Sequence, residues 1–224
     1  MASIVESARE LSLQKPYDKT TIAKLEEYVI SIKKSGDIYD FDVLKCLLKL
    51  YGVYPEESKS ELIATILCLS LMKLPSTDFL CLACLIPAKS QKKEPLKTIL
   101  QCADNLERCT FVEFWENRNN ESMKTFTNSL NGFDSSIRKH IINSLQGTYR
   151  NISIEQFNKA LGLTATESAE FVKKCDSIDN TNKDVVTFKI VTSDTVIGNV
   201  NVKQQNRSLR YDETIKFLDL VKQE

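Results

Sequence analysis

Histidine occurs once in this chain of 224 residues, at position 140 in the run IRKHIIN, with no G-x-S-x-G or similar nucleophile signature near it. A hydrolytic triad or dyad therefore has nothing to be assembled from, and His140 reads as a helix-surface or partner-contact residue. Glycine is scarce, six in all, and no glycine-rich loop is present to cradle a phosphate. Net charge is missing too: thirty Lys and Arg balance thirty Asp and Glu. Such a chain has no global field to draw it onto nucleic acid or an anionic membrane. Long apolar runs are absent. Residues 62–74, the longest, are interrupted by Thr65, Ser70 and Lys73 and fall short of the roughly twenty apolar residues a membrane span needs. Near the amino end, Glu6, Arg9 and Glu10 stand where the apolar core of a secretory leader would lie, and the two acids argue against a transit peptide. No membrane partner is expected, and the expected location is cytoplasmic.

What is present is ordinary globular material. Hydrophobic residues make up 42% and charged residues 27%, enough for one large domain or two small ones with a real core. The seven cysteines are an odd number, and Cys46, Cys68, Cys81, Cys84 and Cys102 sit inside apolar helical runs. Buried free thiols in a reducing compartment explain them better than disulfides. Cys81 and Cys84 form a C-x-x-C, but Phe79, Leu80, Leu82, Leu85 and Ile86 flank them, which predicts a core helix and not a redox or zinc site. No metal, cofactor or catalytic residue is assigned, and the chain is expected not to be an enzyme.

Up to about residue 149 the pattern is helix after helix. Asp40 caps the run FDVLKCLLKLYG, Ser58 with Glu61 and Thr110 with Glu113 have capping-box spacing, and Pro95 stands at a helix start. Residues 21–34 read as an amphipathic helix closed by Gly36. Antiparallel helix pairs with short connectors are the expected packing. The texture changes after Asn131 and Gly132, which divides the chain into a helical domain, residues 1–131, and a second domain, residues 132–224. In the second, FDSSIRKHIINSLQGTY is one helix, Ser153 with Gln156 opens another, and Thr164 with Glu167 opens a third. The polar loop DSIDNTNKD then leads into VVTFKIV and TVIGNVNV, two runs of period-two character, and into a last helix over residues 210–223. Three helices followed by a β-hairpin is the order of a winged helix.

A winged helix invites a DNA-binding reading, and charge argues against it. From Ser153 onward acidic residues outnumber basic ones by one, and the third helix presents Glu167 and Glu170 in its first turns, where base edges and phosphates would be met. No sequence-specific DNA partner is expected. Lys89, Lys92, Lys93 and Lys97 form a solvated loop, and RNA contact there is the weaker alternative. The open edges of a hairpin suit strand addition by a partner. In VVTFKIV, Val186, Phe188 and Ile190 face inward while Thr187 and Lys189 face out. Asn199 and Asn201 make the second run polar outside, and Tyr211, Ile215 and Leu218 form one stripe on the last helix. Thr187, Lys189, Asn199, Asn201, Tyr211, Ile215 and Leu218 are the candidate partner-binding residues.

Residues 74–115 carry LP-x-TDF before a cysteine-bearing helix, a charged loop closed by Glu94 and Pro95, the run IL…D-x-LE-x-C and then F-x-x-FW. With TIAKLEEYV, YDFDVLKCLLKLYGVYP and GFDSSIRKHIINSLQGTYRNIS, these blocks closely resemble the subunit K family of eukaryotic translation initiation factor 3 over residues 21–163. Ser76 replaces the histidine of the family's LPHTDF. The resemblance implies a PCI-type architecture: a HEAT-like helical-repeat domain, then a winged helix with a small antiparallel β-hairpin and a C-terminal helix. It implies a non-catalytic scaffold subunit of initiation factor 3 that supports initiation-complex assembly on the small ribosomal subunit and mRNA recruitment. The implied partners are the other subunits, especially subunit L, and the small ribosomal subunit through the complex. A PCI subunit of the proteasome lid or signalosome, or a stand-alone winged-helix nucleic-acid binder, are the alternatives.

Overall fold

Apolar residues recurring every third or fourth position make most of the helices bury one face, and the short connectors force neighbours to share those faces. The computed structural model describes residues 2–14, 17–35, 39–175, 177–181 and 185–189. The first half comprises α1 (Ala2–Gln14), α2 (Ile22–Ser35), α3 (Phe41–Val53), α4 (Ser60–Leu71), α5 (Asp78–Cys84), α6 (Ala88–Gln91), α7 (Leu96–Glu107), α8 (Phe111–Arg118) and α9 (Glu121–Thr127). There follow α10 (Phe133–Thr148), β1 (Asn151–Ser153), α11 (Ile154–Leu161), α12 (Ala165–Lys174), β2 (Ile178–Thr181) and β3 (Val185–Phe188). Among the described residues the fold is mainly helical with one small antiparallel sheet. By contacts, residues 1–190 form one unit; residues 191–224 form a second, which lies outside the described residues.

α4 is the pillar. Every residue from Ile63 to Leu71 is buried, and a helix apolar all round has to stand inside others. It packs against α2, α5, α7, α9 and α10. Polar side chains fix the angles between helices. Glu26 on α2, buried, accepts a hydrogen bond from the Tyr51 hydroxyl of α3 at 2.6 Å and pairs with Lys59 ahead of α4. Asp78, opening α5, accepts from the Tyr39 hydroxyl at 2.9 Å and pairs with Lys73 at 3.3 Å. Burial works against the charge on Asp78, but Ser76, Tyr39 and Lys73 outweigh it and hold the carboxyl below its ordinary range. The same arrangement, led by desolvation, raises the Tyr39 phenol.

Helix starts agree with the sequence reading in part. The Asp40 side chain caps α3 by accepting from the Asp42 N–H at 2.9 Å, and Thr164 and Glu167 complete a capping box on α12. Ser58 does not cap α4: it ends a short 3₁₀ turn, and Lys59 is the N-cap, with no side-chain bond to the helix N–H groups. Thr110 does stand at the start of α8, but its hydroxyl donates to the Asn105 carbonyl instead of accepting from the helix. A segment already hydrogen-bonded to the preceding turn has less need of the reciprocal box.

Candidate interaction surface

The segment that carries the sheet begins at the Gly132 turn, where φ of +78° suits glycine. α10 delivers the chain to β1. Ser153 then ends the strand and caps α11, its hydroxyl accepting from the Gln156 N–H at 3.3 Å. Gly162 closes α11 in the left-handed region, φ +59°, and there is no room for more: a Cβ would lie 2.8 Å from the Trp115 ring. Trp115 is the peg of this joint. Its indole N–H donates to the Ala160 carbonyl at 2.9 Å, and the Arg138 guanidinium lies over the ring at 5.2 Å while Nε donates to the Leu161 carbonyl at 3.1 Å. Arg118 on α8 adds a two-pronged pair to Asp134 on α10, at 3.0 and 2.7 Å.

The strand order is β1-β3-β2, antiparallel throughout. Val186 and Phe188 point inward and are fully buried, joined by Ile152 and Ile178, with the Phe157 ring 6.3 Å from Phe188. Thr187 is half-buried and Lys189 exposed, as their alternation requires. They do not form an edge. β3 is central: Thr187 pairs with Asn151 on one side and Asn180 on the other. The Lys189 N–H donates to the Ser177 carbonyl at 3.0 Å, inside the sheet. Among the described residues β3 pairs with β1 and β2, and the run 195–202 expected to pair with it lies outside them. β2 falls in what the sequence presents as a polar loop. It is held there by buried Ile178, by pairing with β3, and by a register shift between Ile178 and Asn180 that absorbs its irregularity. Ile190, Asn199, Asn201, Tyr211, Ile215 and Leu218 lie outside the described residues.

Among the described residues, the outer side of β1 is an edge the sequence did not announce. Phe188 N–H donates to the Arg150 carbonyl at 2.9 Å, so alternation along an antiparallel ladder turns the N–H and C=O of Asn151 away from β3. Beside β1 is a cavity of about 290 Å³ lined by Phe111, Leu145, Tyr149, Ile152 and Ala160 among others, and a second of about 380 Å³ shares Cys109, Phe111, Gln156 and Ala160 with it. Tyr149 and Val112 leave half their surface in solvent at the rims. A strand of three residues gives too short an alternation to be read from sequence. The signal that could have found it is the aromatic at Tyr149, two positions ahead of Asn151. On the helical half a groove of about 600 Å³ runs between α2, α4 and α9, with Ile30, Leu62 and Phe126 along it and Lys33 and Glu61 on its walls.

The remaining candidates carry no catalytic geometry. His140 is half-buried, and desolvation lowers its pKa. Lys89 on α6, Lys92 and Lys93 just after it and Lys97 in the first turn of α7 are all exposed. Among the described residues no cluster of three or more His, Cys, Asp or Glu could hold a metal, and no helix is long and apolar enough to cross a membrane. Glu167 and Glu170 are exposed on α12. The cysteines divide. Cys46, Cys68 and Cys102 are buried, and desolvation pushes the Cys102 thiol up to about 12. Cys81, Cys84 and Cys109 are exposed, which corrects the expectation for the C-x-x-C pair. α5 has only seven residues, and Phe79, Leu82 and Ala83 already fill its inward face, so Leu80, Cys81 and Cys84 are turned out.

Residues 57–189, more than half of the chain, match the family described as CSN8/PSMD8/EIF3K. The chain is similar to eukaryotic translation initiation factor 3 subunit K of Dictyostelium discoideum, with 31% identity over 203 residues, covering 90% of this chain and 78% of the relative. The subunit K of Drosophila willistoni is 31% identical over 189 residues, 84% of this chain and 83% of the relative. That of Danio rerio is 32% identical over 146 residues, 65% of each.

Proposed function

The chain belongs to the CSN8/PSMD8/EIF3K family, and we propose that it serves as a non-catalytic, protein-binding subunit of translation initiation factor 3. The observation that carries this reading is the likeness to subunit K proteins over most of both chains. The order α10-β1-α11-α12-β2-β3 supports a winged helix, and the paired helices before it support a HEAT-like half, divided near residue 131. In this reading the subunit contributes to assembly of the initiation complex on the small ribosomal subunit and to mRNA recruitment, works in the cytoplasm, and has subunit L as its nearest partner. Two surfaces make the contacts: the outer edge of β1 with its flanking cavities, and the stripe of Tyr211, Ile215 and Leu218.

The likeness over residues 57–189 also spans the family's other branches, so a proteasome-lid or signalosome subunit is the reading to test against. Tagged full-length chain should recover initiation factor 3 subunits from cytosolic extract, and deletion of residues 210–224 should weaken that recovery. Recovery of lid or signalosome subunits in their place would move the chain to the other branch.

A further inference from the structure

We propose that Cys81 and Cys84 form a redox-reactive dithiol on the surface of α5, one that a small-molecule disulfide such as glutathione disulfide converts to an intrahelical disulfide. Both thiols are exposed, in a helix that buries only Phe79, Leu82 and Ala83. Three residues apart on a helix, their Cα atoms are separated by about 5 Å, inside the roughly 4.4–6.8 Å range of disulfides. The backbone assists at the carboxyl end. Cys81 N–H still makes an α-helical bond to the Thr77 carbonyl at 3.1 Å, but Leu85 N–H bonds Leu82 and Ile86 N–H bonds Ala83, each at 3.1 Å. These are 3₁₀ turns, which tie Leu85 to Leu82 and Ile86 to Ala83 and end the helix just past Cys84. Cys84 is the last residue of α5 and sits inside these turns, so its side chain can move toward Cys81 without unwinding a longer helix. The corner beyond is pinned: the Gln91 side chain donates to the carbonyls of Ala83 at 3.1 Å and Ile86 at 2.9 Å.

The chemistry is two thiol–disulfide exchanges. One cysteine thiolate attacks a sulfur of glutathione disulfide, forming a mixed disulfide and releasing one glutathione. The second cysteine attacks the protein sulfur of that mixed disulfide and releases the other glutathione. Two electrons pass from the protein dithiol to the oxidant, and the two thiol protons end on the two glutathiones. The second thiol is offered on the same helical turn, at an effective concentration of at least the order of millimolar, so ring closure outruns a second adduct. Cys109 supplies the internal comparison. It is exposed at a left-handed position, φ +60°, and its sequence neighbour Cys102 is buried.

The test uses the full-length protein in glutathione buffers of rising oxidised fraction, taken to the point where Cys109 carries glutathione. Free thiols are then blocked with N-ethylmaleimide and the peptides mapped by mass. The expected result is a peptide holding Cys81 and Cys84 that has lost two hydrogens and carries neither glutathione nor maleimide, with both sites restored by dithiothreitol. In the Cys81→Ala variant, Cys84 should instead retain one glutathione, as Cys109 does. Separate adducts on Cys81 and Cys84, or two free thiols when Cys109 is modified, would overturn the proposal. So would a Cys84 left unmodified in the Cys81→Ala variant, because the thiol would then be out of reach.

Discussion

At single positions, stability turns on how little slack the Trp115 joint has. Gly162 is both left-handed and in contact range of the indole, so Gly162→Ala adds a strained φ to a clash. A non-glycine residue in that region costs about 1–2 kcal/mol, and overpacking adds to it; a loss of at least about 2 kcal/mol is expected, read from urea unfolding midpoints. Glycine after the run ISIEQFNKAL was legible as a helix stop. That its missing side chain makes room for a tryptophan 47 positions earlier was not, because nothing local couples the two. His140 was read as a helix-surface or partner-contact residue, and its half-burial on α10 was not legible. Its pKa is lowered by burial, so the folded state disfavours the proton. Its contribution is therefore present above the ordinary value near 6.5 and is lost as pH falls through the lower folded value. His140→Gln should flatten the decline in melting temperature below about pH 6.5, and equal slopes for the two proteins would show that the burial has no thermodynamic weight.

At the level of elements, periodicity over ten or more residues was readable, and of the short strands only β3 was, from the alternation in VVTFKIV. α3, α4, α7 and α10 follow from apolar spacing, and α11 and α12 from spacing plus caps. β1 and β2 owe their existence to β3, which supplies hydrogen bonds on both sides, and a tertiary partner leaves no period in three or four residues. The consequence is practical. Lys189→Pro removes the bond to Ser177 within the sheet and is expected to destabilise the fold as well as any contact made there. Asn151→Pro removes an N–H that points away from β3 and should leave the ladder intact. If a partner strand adds to β1, Asn151→Pro should lower recovery of associated subunits severalfold with the melting temperature within a few degrees of wild type. Unchanged recovery would transfer the contact to the carboxyl-terminal stripe or to the helical half.

For the molecule as a whole, one connected core runs from Ala8 on α1 to Phe188 on β3, crossing the proposed division near residue 131 through Trp115, Ile137, Ile141, Phe157 and Leu161. A core without a seam predicts one cooperative transition, not two. The sequence suggested a division there because the turn at Asn131 and Gly132 separates two textures. The packing of α8 on α11 and of α4 on α10 joins what the texture divides. Residues 1–190 form a unit by contacts, and the match to the family model, residues 57–189, lies within it. A chain stopped after Ile190 should therefore remain folded, with a single urea transition and a midpoint near that of the full chain. Its association should fall if Tyr211, Ile215 and Leu218 carry binding energy, and combining the truncation with Asn151→Pro should abolish recovery. The two surfaces separate cleanly in this design: a truncated chain that unfolds at a much lower denaturant concentration would show that residues 191–224 belong to the fold, whereas a stable one that no longer recovers partners assigns them to assembly.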